Sequence, residues 1–343
     1  MKKTGKNTFY LAIMLGAVLS GGLFILSGFY GSADISPDAV IRVIRHQVFR
    51  MNSVPISPAE LSIIWKLRIP RALLAFFVGS GLALAGTAMQ ATMQNIMSEP
   101  YMLGVSSGSL SVITFCHFMN FPFIRSQFGR ALAAFSGAVI ALTVVYHVGG
   151  AGKKIKSTRL ILTGMAVSTL LTAISNFFIL MVPENNILKG ILSWTMGSLA
   201  GARWNNVFLP IGVIILFSFF FFINGRNFDM ISLGDETALS LGVNVVRLKK
   251  KAILTVSFIA GITVASCGLI GFVGFIVPHV LRRIFTSEHT KLFPLSFTYG
   301  GLFLLTMDIL ARVIAKPQEL PIGIVTALAG APVFIWVLLK KRM

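Results

Sequence analysis

Side chains that could do chemistry are few and dispersed in this sequence. No two of its five histidines stand four residues apart, and the zinc-binding pattern HExxH does not occur. The ATP-binding pattern GxxxxGK[ST] is missing as well, because Lys153 is followed by Lys154 rather than by serine or threonine. Cys116 and Cys267 lie far apart in apolar stretches and are expected to be buried thiols. We therefore expect no catalytic residue, no metal site and no cofactor.

Acidic side chains are nearly absent from the apolar segments. Asp308 is the one acid well inside such a segment, and Arg312 follows it four residues later on the same helix face, where a local ion pair is expected. A proton-driven carrier would need a chain of such carboxylates. A chain that can neither hydrolyse ATP nor relay protons must take its energy from a partner protein. A partner-free secondary carrier or channel, for which Asp308 is a supporting feature, stays open as a different class.

The composition shows what kind of elements must position these few side chains. Of 343 residues, 55% are apolar and 12% are charged, whereas a soluble domain carries about 25% charged residues. These values exclude an ordinary cytosolic enzyme, a disordered chain and a secreted disulfide scaffold. A helix that spans a bilayer takes about 20 apolar residues. We expect an all-α, polytopic membrane protein with about ten transmembrane helices in a single domain, residues 1–343.

Ten apolar segments with few charges can be distinguished. The eighth is short and contains Gly268, Gly271 and Gly274, so we expect it to be broken or packed wholly inside protein. The first exceeds the length of a signal peptide's apolar core and is predicted to be a retained helix. The predicted spans are 9–29, 69–90, 101–119, 131–149, 160–181, 207–224, 252–268, 269–285, 292–314 and 321–339.

The basic residues predict the orientation in the membrane. The formal net charge is +19, but the lysines and arginines stand in short runs between apolar segments, which argues against nucleic acid binding. With the N-terminus inside, most of them face the cytoplasm, so both termini are predicted there, in a bacterial cytoplasmic membrane. The exception is a basic cluster from Arg42 to Arg71. It begins in a predicted outer loop at about 30–66 and extends a few residues beyond it. A violation of this sorting rule suggests a functional reason.

A predicted cytoplasmic loop at about 225–251 carries helix signals of its own. Ser232 is a capping-type residue, two acids follow it, and Gly242 provides a stop signal. Leu233, Ala238, Leu241 and Val245 are expected to share an apolar stripe. The residues alone leave open whether this short helix lies on the membrane surface or against another protein.

Several motifs stand in a fixed order between about residues 65 and 336. They include Trp65-Lys-Leu-Arg-Ile-Pro-Arg71, Leu233-Gly-Asp-Glu-Thr-Ala238 and Gly271-Phe-Val-Gly-Phe, the last followed by Val277-Pro-His279. Together they resemble the permease family that imports iron chelates, haem and cobalamin, the FecCD family. Further matching segments are 79–108, 192–204 and 308–332.

The resemblance implies a type II ABC importer. Two permease copies, identical or paralogous, would enclose a pathway, two ATPase subunits would bind at the cytoplasmic face, and a substrate-binding protein would deliver cargo outside. The positions that match the family's binding-protein docking arginines are Arg68, Arg71 and Arg312. Charge-assisted pairing with carboxylates would steer the encounter and fix its register. The alternative for these arginines is contact with lipid headgroups of the outer leaflet.

The resemblance also gives the inner loop a role and limits what can be said of the cargo. Gly234, Glu236, Ala238 and Gly242 match the loop that couples the family's permeases to their ATPases. The cargo is expected to be a metal chelate, with a ferric siderophore or other iron complex ahead of haem and cobalamin.

The sequence departs from the family pattern at two places. Asn95-Ile-Met-Ser-Glu99-Pro100 lacks the first proline of the family's "NPLA(D/E)P" turn, and the outer segment carries Arg42, Arg45 and Arg50, whose role the resemblance does not set.

Overall fold

The computed structural model describes residues 5–50, 56–149, 157–181, 190 and 194–340, and all regular structure in these ranges is helical. Of the residues used above to predict orientation and motifs, Lys2, Lys3, 153–156, 192–193, Lys341 and Arg342 lie outside them. We number the α-helices in chain order: α1 Lys6–Phe29, α2 Pro37–Phe49, α3 Pro58–Leu61, α4 Ile69–Met93, α5 Val105–Phe118, α6 Gln127–Val148, α7 Ser157–Met181, α8 Trp204–Ser232, α9 Asp235–Ser240, α10 Val245–Cys267, α11 Val273–Ile284, α12 His289–Val313 and α13 Ile322–Lys340.

Each of the ten predicted spans coincides with one of these helices. Within the described residues, seven helices are long and apolar enough to cross a membrane, and the second of them is the continuous Pro58–Met93 rod. The helices α5 and α13 are apolar but shorter, and α11 has twelve residues. The expected all-α membrane fold is confirmed, and about ten crossing helices agree with it.

Helix α4 occupies the centre of the bundle. It continues the turn α3 and a π-helical segment, Ser62–Arg68, into one rod whose apolar window is 83% buried. Glycines let its neighbours approach closely: a Cβ at Gly79 would overlap the backbone of Gly300 in α12, and one at Gly86 would overlap Gly274 in α11. Helix α1 is only 17% buried and presents most of its surface outward.

The expected break in the eighth span is present. Five non-helical residues, 268–272, precede α11, and both ends of this stretch have a left-handed φ, +71° at Gly268 and +70° at Phe272. A Cβ at Gly268 would overlap the carbonyl of Trp194, so the start of the stretch is packed against protein backbone. Irregular backbone is tolerated at membrane depth under that condition.

The described parts of the predicted outer segment, residues 30–50 and 56–66, contain regular helices. Pro37 starts α2, whose N-cap Ser36 accepts a hydrogen bond from the Ala39 amide. The buried face of α2 packs on Ile64, which belongs to the π-helical segment. The apolar residues of this outer face therefore provide a small core of their own, which the charged residues between them had obscured in the sequence.

Candidate functional site: an outer arginine pit and an inner helix

Arg71 lies near the N-terminal end of α4, the end predicted to face outward, and bridges two acids that are remote in the sequence. Its Nε donates to Asp308 Oδ1 at 2.8 Å, and its Nη1 donates to Glu319 Oε2 at 2.6 Å. Glu319 also accepts a hydrogen bond of 2.9 Å from Ser32 in the outer segment. One guanidinium thus connects α4, α12, the turn after α12 and the chain after α1.

Arg312 pairs with Asp308 at 3.0 Å, so the predicted local ion pair is present. The same guanidinium donates to the carbonyls of Ser27 and Tyr30 and, at 2.6 Å, to the Ser27 hydroxyl. Arg68 donates in a similar way to the carbonyls of Gly28 and Phe29 at 2.7 and 3.0 Å. The last carbonyls of a helix have no hydrogen-bond donor within that helix. Arg68 and Arg312 supply these donors for α1.

The three predicted docking arginines therefore come together at one place. Arg68, Arg71 and Arg312 line a concavity of about 320 Å³, here named the outer pit, together with Glu319. They are 5%, 8% and 2% exposed, and much of their hydrogen-bonding capacity is satisfied within the chain. The three arginines carry one more charge than Asp308 and Glu319, so the pit has a formal charge of +1 and attracts anions.

Glu319 is the acid at the mouth of the pit, with a side chain that is 30% exposed. Partial burial acts to raise the pKa of Glu319, but the attraction and hydrogen bond of Arg71, together with Ser32 and Arg312, lower that pKa by more, so it lies below its usual value. At the rim, Lys316 donates to Asp34 at 2.6 Å and lowers the pKa of that exposed carboxyl. Both acids are therefore ionised at neutral pH.

The inner loop forms helix α9 between two glycines with positive φ, +112° at Gly234 and +86° at Gly242. Ala238 is fully buried and anchors the helix on the bundle, whereas Glu236 is exposed. The predicted apolar stripe is wrong, because Ala238 and Val245 face inward while Leu233 and Leu241 face outward. The apolar side chains that α9 and its flanks expose are Leu233, Leu239, Leu241 and Val246, between 45% and 64%.

Hydrogen bonds hold α9 to two other helices. Lys249 of α10 donates to Asp235 Oδ2 at 2.6 Å, and Gln94, which ends α4, donates to Asp235 Oδ1 at 3.2 Å. Neither contact was anticipated from the sequence. A cavity of about 680 Å³ opens beside them, lined by polar groups that include Arg226, Asp229, Arg282 and His289.

The turn after α4 explains how the chain manages without the family's first proline. Asn95 Oδ1 accepts a hydrogen bond of 2.9 Å from the Met97 amide, and the Ser98 amide donates to the Asn95 carbonyl at 3.0 Å. An asparagine can close such a turn with its own side chain. The departure is therefore local.

Groups that could support catalysis or hold a metal do not come together in the described part of the chain. No cluster of three or more histidine, cysteine or acidic side chains occurs there. Gly104-Val-Ser-Ser-Gly108 has the spacing of a serine hydrolase elbow, but the Ser106 hydroxyl is buried and has no hydrogen-bonding partner. A serine nucleophile requires a base within reach.

Comparison with known proteins decides the family. The sequence profile of the FecCD transport family matches residues 17–340. The chain belongs to the FecCD transport family. This confirms the resemblance drawn from the motifs.

Relatives of this FecCD permease carry different cargo. The vitamin B12 import permease BtuC of Vibrio cholerae is 35% identical over 83% of this chain and 85% of its own. The hemin transport permease HmuU of Yersinia pestis is 34% identical over 81% of this chain and 84% of its own. A solved ABC transporter of the metal-chelate type, in an inward-facing conformation, covers 97% of this chain and 99% of its own with a TM-score of 0.82 and 27% identity.

The FecCD permease is thus a multi-span subunit of an ABC importer family, and family membership indicates the inner membrane of the cell. Its relatives are transport permeases, which are not themselves enzymes. A partner-free carrier or channel is not favoured.

Proposed function

We propose that this chain is the permease of an ATP-driven importer that moves a metal chelate, a ferric siderophore or another iron complex, into the cell. Separate ATPase subunits at the cytoplasmic face supply the energy. The observation that carries this proposal is the placement of two polar sites at opposite ends of one buried helix, α4. Arg71 lies at its outer end, and Gln94, which contacts the inner helix α9, lies at its inner end.

The outer pit is proposed to receive a carboxylate of a substrate-binding protein. Arg68, Arg71 and Arg312 provide the positive field, and Glu319 is the partly exposed acid that an incoming carboxylate would displace from Arg71. An arginine that reaches lipid headgroups extends along the outer surface of a protein. The three guanidinium groups instead line a concavity and are less than a tenth exposed, which favours a protein carboxylate over the lipid alternative.

Helix α9 is proposed to bind a cleft of the ATPase subunit and is called the coupling helix from here on. Gly234 and Gly242 allow the sharp turns at its ends, Ala238 anchors it, and Glu236 is available to the partner. The exposed leucines around it add apolar surface to a short helix that has no room to bury them within the chain. This supports a protein partner over a helix lying on the membrane.

A second permease copy, identical or paralogous, is proposed to complete the pathway. Helix α7 has an apolar window of which only 11% is buried, so most of its surface is available to a second copy. Leu162, Leu170, Phe177 and Leu180 are each more than half exposed. Haem and cobalamin are the alternative cargoes, since hemin and vitamin B12 appear in the names of the relatives.

The test is reconstitution of the permease in liposomes with its ATPase and its loaded binding protein. We expect uptake of the iron complex only when both partners and ATP are present, and none by the permease alone. Robust uptake by the permease alone under an ion gradient would overturn the proposal. Repeating the uptake measurement with binding protein that is loaded with haem or with cobalamin identifies which cargo is transported.

A further inference from the structure

The residue that ends α4, Gln94, contacts α8 and the coupling helix through its side chain. Gln94 adopts the left-handed conformation, with φ 49° and ψ 35°, and closes the helix as its C-cap. Its side-chain amide donates 2.9 Å to the carbonyl of Ile231, in the last turn of α8, and 3.2 Å to Asp235 Oδ1, in the first turn of the coupling helix. A C-cap needs only its backbone, so these side-chain bonds have no role in ending α4.

The carboxylate of Asp235 links three helices, namely the coupling helix, α4 and α10. Asp235 starts the coupling helix, accepts from Gln94 of α4 through one oxygen, and accepts from Lys249 of α10 through the other. Lys249 is 2% exposed, so its ammonium group is fixed in place and depends on this partner. The coupling helix is therefore attached to α4 and α10 through the side chain of its first residue.

The opposite end of α4 carries Arg71, which is bound to Asp308 and Glu319 in the outer pit. The helix between them has 25 residues, a length of about 37 Å at 1.5 Å per residue. The helix packs closely against α11 at Gly86 and against α12 at Gly79. One continuous helix thus bears the contacts of the outer pit at one end and the contact with the coupling helix at the other.

We propose that Gln94 is a positioning residue that joins the central rod to the coupling helix through Asp235, so that the ATPase senses events in the outer pit. This rests on the proposed function of the outer pit and the coupling helix. The neutral amide suits the position, because a single NH₂ group serves both the carbonyl of Ile231 and the carboxylate of Asp235. Within the described residues, no other side chain of α4 donates or accepts a hydrogen bond with the coupling helix.

The contact between Gln94 and Asp235 is here named the joint. The variant that removes the joint and keeps the helix cap is Gln94→Asn. Asparagine tolerates the left-handed conformation at least as well as glutamine, so the cap is kept, but its amide is one methylene too short to reach Asp235. Gln94→Lys restores a donor of sufficient length and adds an attraction to the carboxylate. Gln47→Asn, on the outer helix α2, is the matched control for the same chemical change elsewhere.

The experiment measures, in nanodiscs, the affinity of the ATPase for the permease and the stimulation of ATP hydrolysis by the loaded binding protein. Gln94→Asn is expected to leave the affinity unchanged and to reduce the stimulation about fivefold. Gln94→Lys should restore it, and Gln47→Asn should have no effect. Normal stimulation in Gln94→Asn, or failure of Gln94→Lys to restore it, overturns the proposal, and so does a lost ATPase affinity, which would make Gln94 part of the docking surface.

A parallel variant separates this joint from the proposed function on which it rests. Gly242→Trp obstructs the coupling helix itself. If Gly242→Trp abolishes stimulation while Gln94→Asn does not, only the joint is wrong. If neither variant changes stimulation, the assignment of the coupling helix is wrong as well.

Discussion

At the scale of single residues, Arg71 determines the geometry of the outer pit. It is the only one of the three pit arginines whose bonds go to side-chain carboxylates on two separate elements, Asp308 in α12 and Glu319 after it. Arg68 and Arg312 are fixed mainly by carbonyls at the end of α1. Glu319, which is partly exposed, is therefore the partner of Arg71 that an incoming carboxylate can replace, whereas Asp308 is buried.

We expect Arg71→Gln to weaken docking of the binding protein about tenfold at low ionic strength, with a smaller difference at high salt. The reason is that the change removes a positive charge and leaves Glu319 unpaired at the mouth of the pit. Binding is measured on nanodiscs at two salt concentrations. Arg125→Gln, in the outer turn between α5 and α6, is the matched control. Equal affinities for Arg71→Gln and the parent protein would contradict the role of the pit.

A second residue-scale prediction concerns pH. The pKa of Glu319 lies below its usual value of 4.5, so its ion pair adds stability that is complete above that value and is lost as the pH falls through the lowered pKa. The melting temperature of the parent protein should therefore fall more steeply below about pH 4.5 than that of Glu319→Gln. The difference between the two melting curves, taken from neutral pH downward, is the measurement. Parallel curves would show that the pair adds no stability.

At the scale of elements, close approach of backbones sets the position of α4. We expect Gly86→Leu to lower the free energy of unfolding by about 3 kcal/mol, because the side chain would have to enter the backbone of Gly274. Gly22 on α1 has open space around it, so Gly22→Leu should change the free energy of unfolding by less than about 0.5 kcal/mol. Thermal unfolding of the two variants in the same detergent provides the comparison. A stable Gly86→Leu protein would mean that α4 and α11 are further apart.

The coupling helix offers the second test at this scale. A Cβ at Gly242 would meet open space, so the indole of Gly242→Trp projects toward the partner, but the φ of +86° is strained for any residue with a side chain. The expected result is a loss of stimulated ATP hydrolysis greater than that of a variant with the same backbone strain and less bulk. Gly242→Asn keeps the left-handed backbone without the bulk and is the control. Normal stimulation in Gly242→Trp would place the ATPase elsewhere.

At the scale of the whole molecule, the distribution of charge predicts which side of the membrane each site faces. Both cysteines are buried, so single cysteines introduced elsewhere can be labelled selectively. We expect Asn120→Cys, in the turn after α5, to react in intact cells with a maleimide that does not cross membranes. Ser240→Cys, in the coupling helix, should react only after the cells are opened. The reverse pattern would invert the topology and exchange the roles of the two sites.

The sequence by itself determined the class of fold, an approximate number of spans and the family. Apolar runs long enough to cross a bilayer have few other stable structures, since each backbone polar group must be paired within its own helix. The break before α11 was also predictable, because Gly268, Gly271 and Gly274 leave a short segment with few side chains to pack. Pairs close in sequence, such as Asp308 and Arg312, followed from helix periodicity alone.

Only the tertiary structure decided which distant groups meet. Arg71 finds Glu319 across 248 positions, and Gln94 finds Asp235 across 141 positions. The exposed and buried sides of the coupling helix were likewise unpredictable, since Ala238 packs inward while Leu241 points out. A local pattern records which side chains share a helix face, but the neighbour that each face meets depends on how the glycine-lined surfaces of α4, α11 and α12 fit together.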